Sequence, residues 1–216
     1  MPNKAEKEEK SMRRCLIIAG GDYAPIGPVG EEDFVLACDR GLVYAQREGI
    51  VPDLILGDFD SYRGALPDGV PVLRYPAEKD DTDTMLAVRW AHEHGFDAIR
   101  LACCFGGRLD HLLSNVQTLH LAARLGMEAA AEDENTLLRV LGPGVYRLPY
   151  RPGRSLSLLA LTEKVEGLCI RGTKYETEGV TLENPSTLGQ SNAFIADAEI
   201  SFASGVLALV CCRTEE

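Results

Sequence analysis

The sequence predicts an α/β protein: an N-terminal parallel-sheet α/β domain followed by a C-terminal all-β sandwich domain. Three observations carry this expectation. Short apolar runs alternate with helical patterns through the first part of the chain, the signature of βα units and a parallel sheet. One run, Leu54-Ile55-Leu56, is apolar at successive positions, as a strand covered on both faces must be. After about Gly142 the helical periodicity stops. Pro143, Gly144, Pro149, Pro152 and Gly153 then punctuate a series of short apolar runs, the pattern of a small sandwich or barrel.

The elements follow in order. Residues 1–13 are rich in Lys and Glu and lack an apolar stretch, so they are expected to be a disordered lead-in and not a secretory signal. Strands are expected over 15–20, 34–38, 54–56, 70–75 and 98–104. A weaker helix over about 40–48 stops at Gly49. The 82–94 segment reads as an amphipathic helix, with Leu86, Ala87, Trp90 and Ala91 on one face and Gly95 as its stop. The 109–125 segment reads likewise, with Leu112, Leu113, Val116, Leu119 and Ala123 on one face and Gly126 as its stop. These elements make up an expected domain over 14–140. The second domain, 141–216, is expected to hold strands over 156–161, 165–170, 180–182, 194–196, 198–202 and 206–212.

Bulk properties narrow the function classes. The formal net charge is -11 at pH 7, which disfavours a nucleic-acid backbone as partner. No apolar run approaches the roughly 20 residues of a membrane-spanning helix. The seven cysteines are an odd number, form no Cys-x-x-Cys, and sit mostly in apolar runs. They read as reduced core residues of a cytoplasmic protein, with a zinc site or disulfide framework as the alternative.

The chemistry collects where the expected strands end. In an open parallel sheet the carboxyl edge is where ligands bind. Gly21-Asp22, Asp39-Arg40-Gly41, Gly57-Asp58-Phe59-Asp60, Lys79-Asp80-Asp81-Thr82-Asp83 and Gly106-Gly107-Arg108 followed by Asp110-His111 all fall at that edge. Asp58 and Asp60, spaced i, i+2, invite a hard divalent cation such as Mg2+, which shares oxygen ligands with substrate phosphates. The acids at 80–83 have two readings: helix capping by Asp81 or Thr82 with Asp83 on the positive dipole end, or a second set of metal ligands with Lys79 on phosphate. Gly106 and Gly107 permit close backbone approach of an anion, and Arg108 adds a phosphate fork; a plain turn with a solvated Arg is the alternative. Asp110 either joins the metal set or caps the helix. His111 and His120 read as packing or surface residues. No Gly-x-x-x-x-Gly-Lys-Ser/Thr loop is present.

Taken together, Gly57-Asp58-Phe59-Asp60-Ser61, Lys79-Asp80-Asp81-Thr82-Asp83, Gly106-Gly107-Arg108-Leu109-Asp110-His111 and Ser191-Asn192 resemble the thiamine pyrophosphokinase (thiamine diphosphokinase) family over nearly the whole chain after Cys15. The resemblance implies transfer of a diphosphoryl group from ATP to thiamine, releasing AMP, by a homodimer with the thiamine site between subunits. It implies Asp58, Asp60 and Asp83 as Mg2+ ligands, with Arg108 beside them in catalysis. It implies Lys79, Asp80, Gly106, Gly107 and Asp110 as nucleotide, phosphate or metal contacts, and Ser191 and Asn192 as part of the thiamine pocket. Two segments depart from the family pattern: the usual Gly-Leu-Lys-Tyr-Pro-Leu here reads Gly172-Thr173-Lys174-Tyr175-Glu176-Thr177, and the stretch before Ser191-Asn192 differs from the common Ser-rich form. Two rivals compete. A haloacid-dehalogenase-type phosphatase also places Asp-x-Asp after a buried strand, and a thiamine- or nucleotide-binding regulator would keep the fold without turnover.

Overall fold

The computed structural model describes residues 11–59, 62, 64–76 and 78–214; Asp60 and Ser61 lie outside the described residues. The elements in chain order are β1 (Arg14–Ile18), β2 (Phe34–Cys38), α1 (Gly41–Arg47), β3 (Leu54–Gly57), β4 (Val72–Arg74), α2 (Asp83–Glu93), β5 (Ala98–Ala102) and α3 (Leu109–Arg124). Then follow β6 (Glu128–Glu132), β7 (Thr136–Leu141), β8 (Gly144–Leu148), β9 (Arg154–Ala160), β10 (Lys164–Thr173), β11 (Thr177–Glu183), β12 (Asn192–Phe202) and β13 (Leu207–Arg213).

Strands β6-β5-β1-β2-β3-β4 pair in parallel in that order. Successive residues of β1 serve opposite faces. Cys15 and Ile17 pack with Ala87, Val88 and Ala91 of α2 and with Leu119 and Ala122 of α3. Leu16 and Ile18 pack with Tyr44 and Ala45 of α1. Burial on both faces is why these strands read as unbroken apolar runs. Strand β1 has β2 on one side and β5 on the other, so the winding direction reverses there and leaves a crevice at the carboxyl ends.

The sheet runs on past residue 140. β6 pairs antiparallel with β7, β7 with β13, β13 with β9, and β9 with the start of β12. Strand β13 is a shared wall. Ala208 and Val210 face the first core, whereas Leu207, Leu209 and Cys211 face a second core with β9, β10 and β12. The result is a mixed sheet with few helices, in which the two cores share strands.

Three differences from the sequence expectation have physical causes. The expected strands over 194–196 and 198–202 are one strand, β12, whose exposed Asp197 accepts a 2.8 Å bond from the Tyr150 amide. Strand β6 has the composition Glu-Ala-Ala-Ala-Glu, which carries little β propensity. It is a strand because its backbone completes the ladder beside β5. Residues 11–13 of the expected lead-in are described, and the Arg13 amide donates to Asp97 Oδ2 at 3.0 Å.

Because Leu209 is fully buried on the shared wall, truncation removes packing that the second core cannot refill. Leu209→Ala is expected to cost about 2–5 kcal/mol and to lower the thermal midpoint by about 5–15 °C. A calorimetric shift under 2 °C, smaller than about 1 kcal/mol would cause, would contradict the shared-wall account.

Candidate active site

At the crevice, the loops after β1 and β5 are zipped together. The Ala19 amide donates to Ala102 O at 2.9 Å, Gly21 to Cys103 O at 2.8 Å, and Asp22 to Phe105 O at 3.0 Å. A Cβ at Gly21 would stand 2.8 Å from the Cys103 carbonyl oxygen, so this approach requires glycine. Asp22 then holds the glycine loop, its Oδ2 accepting from the Gly107 amide at 2.9 Å. A Cβ on Gly106 would meet that carboxylate at 2.3 Å.

Beside this zip lies a cluster of acids. Asp39 follows β2 with a left-handed φ of 43°. Its amide donates to Leu56 O at 3.0 Å, and its Oδ1 accepts from the Phe59 amide at 3.3 Å. Gly57 makes room for it: a Cβ there would lie 1.8 Å from Asp39 Oδ1. Burial pushes the Asp39 carboxyl up to about 7; the hydrogen bond to Asp83 and the charges of Asp83 and Asp58 add to the shift. Lys79 is bonded to Asp83 four residues on. Partial burial alone would lower the Lys79 pKa, but the bond to Asp83 and the charges of Asp83, Asp58 and Asp39 raise it.

The acidic motif before α2 divides its labour. Thr82 is the N-cap, its Oγ1 accepting from the Met85 amide at 3.3 Å, and Asp81 pairs with Arg89 at 2.8 Å. Asp80 is exposed. Asp83, in the first turn of α2, is the acid of this motif that lines the cleft, beside Thr82.

That cleft has a volume of about 430 Å³. It brings together Asp22, Asp39, Arg40, Asp83, Gly106, Gly107, Arg108, His111 and Asn115. Asp58 and Lys79 adjoin it through Asp39 and Asp83. Arg108 and Asp110 form an exposed pair, with Nε 3.1 Å from Oδ1, and the bond to Arg108 holds the Asp110 carboxyl below its ordinary value. Asn115 pins α3 to the β5 loop by donating to Cys104 O at 2.8 Å. His120 lies elsewhere on α3 and has a buried Nε2 without a partner among the described residues. Burial, then the charge of Arg124, lowers its pKa.

Ser191 and Asn192 are not part of this cleft within one chain. Ser191 has φ 57° and donates its amide to Ser157 Oγ at 3.1 Å. The buried Asn192 donates to Thr173 Oγ1 at 3.0 Å and Tyr175 O at 2.7 Å, and accepts from the Tyr175 amide at 2.9 Å. Its side chain therefore shapes the 173–175 turn. Asp39, Phe59, Cys103 and Ser191 are the non-glycine residues with positive φ among the described residues. Asp39, Phe59 and Ser191 lie in segments that the sequence singled out, whereas Cys103 falls in the expected 98–104 strand, which ends at Ala102; backbone strain marks sites that surrounding structure must enforce.

Asp22 and Asp39 were not among the expected site residues. The signal for both was an acid one to three residues after a buried strand at the same edge. Among the described residues no three acidic, histidine or cysteine side chains converge closely enough to hold a metal ion as placed. The donors nonetheless suit Mg2+: Asp39, Asp58 and Asp83 offer only carboxylate oxygen. The raised pKa of Asp39 comes first from burial and then from its acidic neighbours Asp83 and Asp58.

A carboxyl with a folded pKa of about 7 against an ordinary 3.8 stabilises the metal-free fold at low pH and loses that contribution as pH rises through about 7. Asn cannot ionise. Asp39→Asn is thus expected to raise the thermal midpoint more at pH 8 than at pH 5, the difference being about 1 kcal/mol, or about 2–4 °C. An equal effect at both pH values in metal-free buffer would contradict the buried, acidic surroundings assigned to Asp39.

A family model described as thiamin pyrophosphokinase, catalytic domain, matches residues 29–130, and one described as thiamin pyrophosphokinase, vitamin B1 binding domain, matches residues 146–207. A thiamine pyrophosphokinase of Bacillus subtilis (strain 168) is 32% identical over 210 residues, covering 92% of this chain and 98% of the relative. A crystal structure of Bacillus subtilis thiamine pyrophosphokinase superposes with a TM-score of 0.84 at 29% identity, covering 94% of this chain and 100% of that one. The thiamin pyrophosphokinase structure from Geobacillus thermodenitrificans gives a TM-score of 0.78 at 30% identity, covering 94% and 99%. With an acid cluster and a glycine loop on one crevice, and both halves matched in order, the chain belongs to the thiamin pyrophosphokinase family.

Proposed function

We infer that the protein is a thiamine diphosphokinase: it transfers the diphosphoryl group of ATP to the hydroxyethyl oxygen of thiamine, giving thiamine diphosphate and AMP. The observation that carries this reading is the meeting of Asp83, the Gly106-Gly107 loop and Arg108 on one cleft, in a chain matched by both family models. Phosphoryl-type transfer asks a protein mainly for positioning and charge stabilisation, and these groups supply both.

Asp58, Asp60 and Asp83 would hold Mg2+, with Asp39 supporting Asp83. The ion would neutralise phosphate charge and orient the polyphosphate. Lys79, Asp80 and Asp110 flank the phosphate path, and Arg108 with the glycine-loop amides stabilises negative charge on the transferred group. Asp22 keeps those amides in place. Ser191 and Asn192 shape the thiamine pocket, Asn192 by fixing the backbone of Tyr175. The finer architecture we propose is a parallel α/β catalytic domain over 14–140 and a sandwich domain over 141–216.

We also propose a homodimer with thiamine bound between subunits. Its support is the exposure of Leu109 and Leu113 on α3, and of Tyr175, Leu188 and Ile195 around the second set of motif residues. Such apolar exposure marks contact surfaces. The seven free cysteines accord with a cytoplasmic location. No helix among the described residues is long and apolar enough to cross a membrane.

Asp58→Asn and Asp83→Asn are each expected to cut thiamine-dependent AMP formation by about a hundredfold or more, with circular dichroism unchanged. Near-normal turnover in both variants would overturn the roles given to these acids.

A further inference from the structure

The cleft contains a cation that the reading above does not use. Lys79 is bonded to Asp83 and Arg108 to Asp110. Among the described residues lining the cleft, Arg40 is the cation with no carboxylate partner. We propose that Arg40 binds the polyphosphate chain of the nucleotide, a contact that rests on the thiamine diphosphokinase reading and adds a residue to its nucleotide site.

The support is geometric. The Arg40 guanidinium carbon stands 5.4 Å from the centroid of the Tyr44 ring, within cation–π range. Tyr44 is itself fixed: the residue is 5% exposed, and its hydroxyl donates to Gly21 O at 2.8 Å. The β1 loop thus holds Tyr44, and Tyr44 holds Arg40. Gly20 completes the fit, since a Cβ there would come within 3.3 Å of Arg40 Cβ. A planar guanidinium resting on a fixed ring loses little further rotamer freedom when it meets an anion.

Charge gives the ligand class. The cleft carries Asp22, Asp39 and Asp83 against Arg40 and Arg108. A polyphosphate brings several more negative charges, which the acids repel. A guanidinium free of carboxylates and facing the same space is the group that can meet phosphate oxygens with paired N–H donors. The neighbouring acids also deny the site to carboxylate ligands too weakly charged to recruit a cation of their own.

The test compares Arg40→Ala and Arg40→Lys with the parent enzyme in the ATP, Mg2+ and thiamine assay, with ATP binding followed separately by calorimetry. Arg40→Ala is expected to raise KM and Kd for ATP by about tenfold or more. KM for thiamine should stay within twofold and the thermal midpoint within 2 °C, on the scale of about 1 kcal/mol or less. Arg40→Lys, which keeps the charge and loses the fork, should recover part of the ATP affinity. ATP constants within twofold of the parent in Arg40→Ala would overturn the inference, as would equal losses for ATP and thiamine with a lowered midpoint. A parent enzyme that makes no AMP would instead overturn the function on which the inference rests.

Discussion

The burial of the Asp39 carboxyl beside Asp83, with the charge of Asp58 nearby, is the constraint around which this site is built. The acids come from the ends of β2 and β3 and the start of α2 and act on one another electrostatically, without three of them closing on a single point among the described residues. The cost is visible in the raised Asp39 carboxyl and in the Lys79 ammonium drawn onto Asp83. It is visible again in the backbone, where Asp39 and Phe59 take left-handed conformations and Gly57 is excluded from having a side chain. The proposed binding of a divalent cation and phosphate would give this arrangement its use.

The crevice at β1 and β5 supplies the complementary half. There the loop backbones bond to each other and leave Gly107 held by Asp22, so the glycine loop has a defined position before any ligand arrives. Acids on one side and glycine-loop amides on the other make a cleft suited to an anion that travels with a cation. The shared wall of β7, β9 and β13 ties this cleft mechanically to the second core, which carries Asn192 and the 173–175 turn. The cleft and the 173–175 turn therefore belong to one continuous sheet, although they lie apart within a single chain.

Much of this was legible in the sequence. The apolar runs of β1, β2 and β3 announced a sheet covered on both faces, and the glycine stops placed the ends of α2 and α3 within a residue or two. The motif at 79–83 was ambiguous for a sound reason: capping and cleft chemistry coexist there, with Thr82 doing one and Asp83 the other. What could not be read was non-local. Strand β6 owes its conformation to its neighbour, and the continuity of β12 through Asp197 depends on partners on both sides. The sequence placed Asp22 and Asp39 at the ligand-binding edge but could not give either a role; that needed the glycines opposite them, Gly106 and Gly57, which make room for their carboxylates.

The most direct measurement of the central claim is the identity of the nucleotide product. The protein is incubated with ATP and Mg2+, with and without thiamine, and the nucleotides and thiamine esters are resolved by chromatography. The account predicts AMP and thiamine diphosphate in equal amounts, formed only when thiamine is present. ADP as the product, or inorganic phosphate released without thiamine, would contradict it.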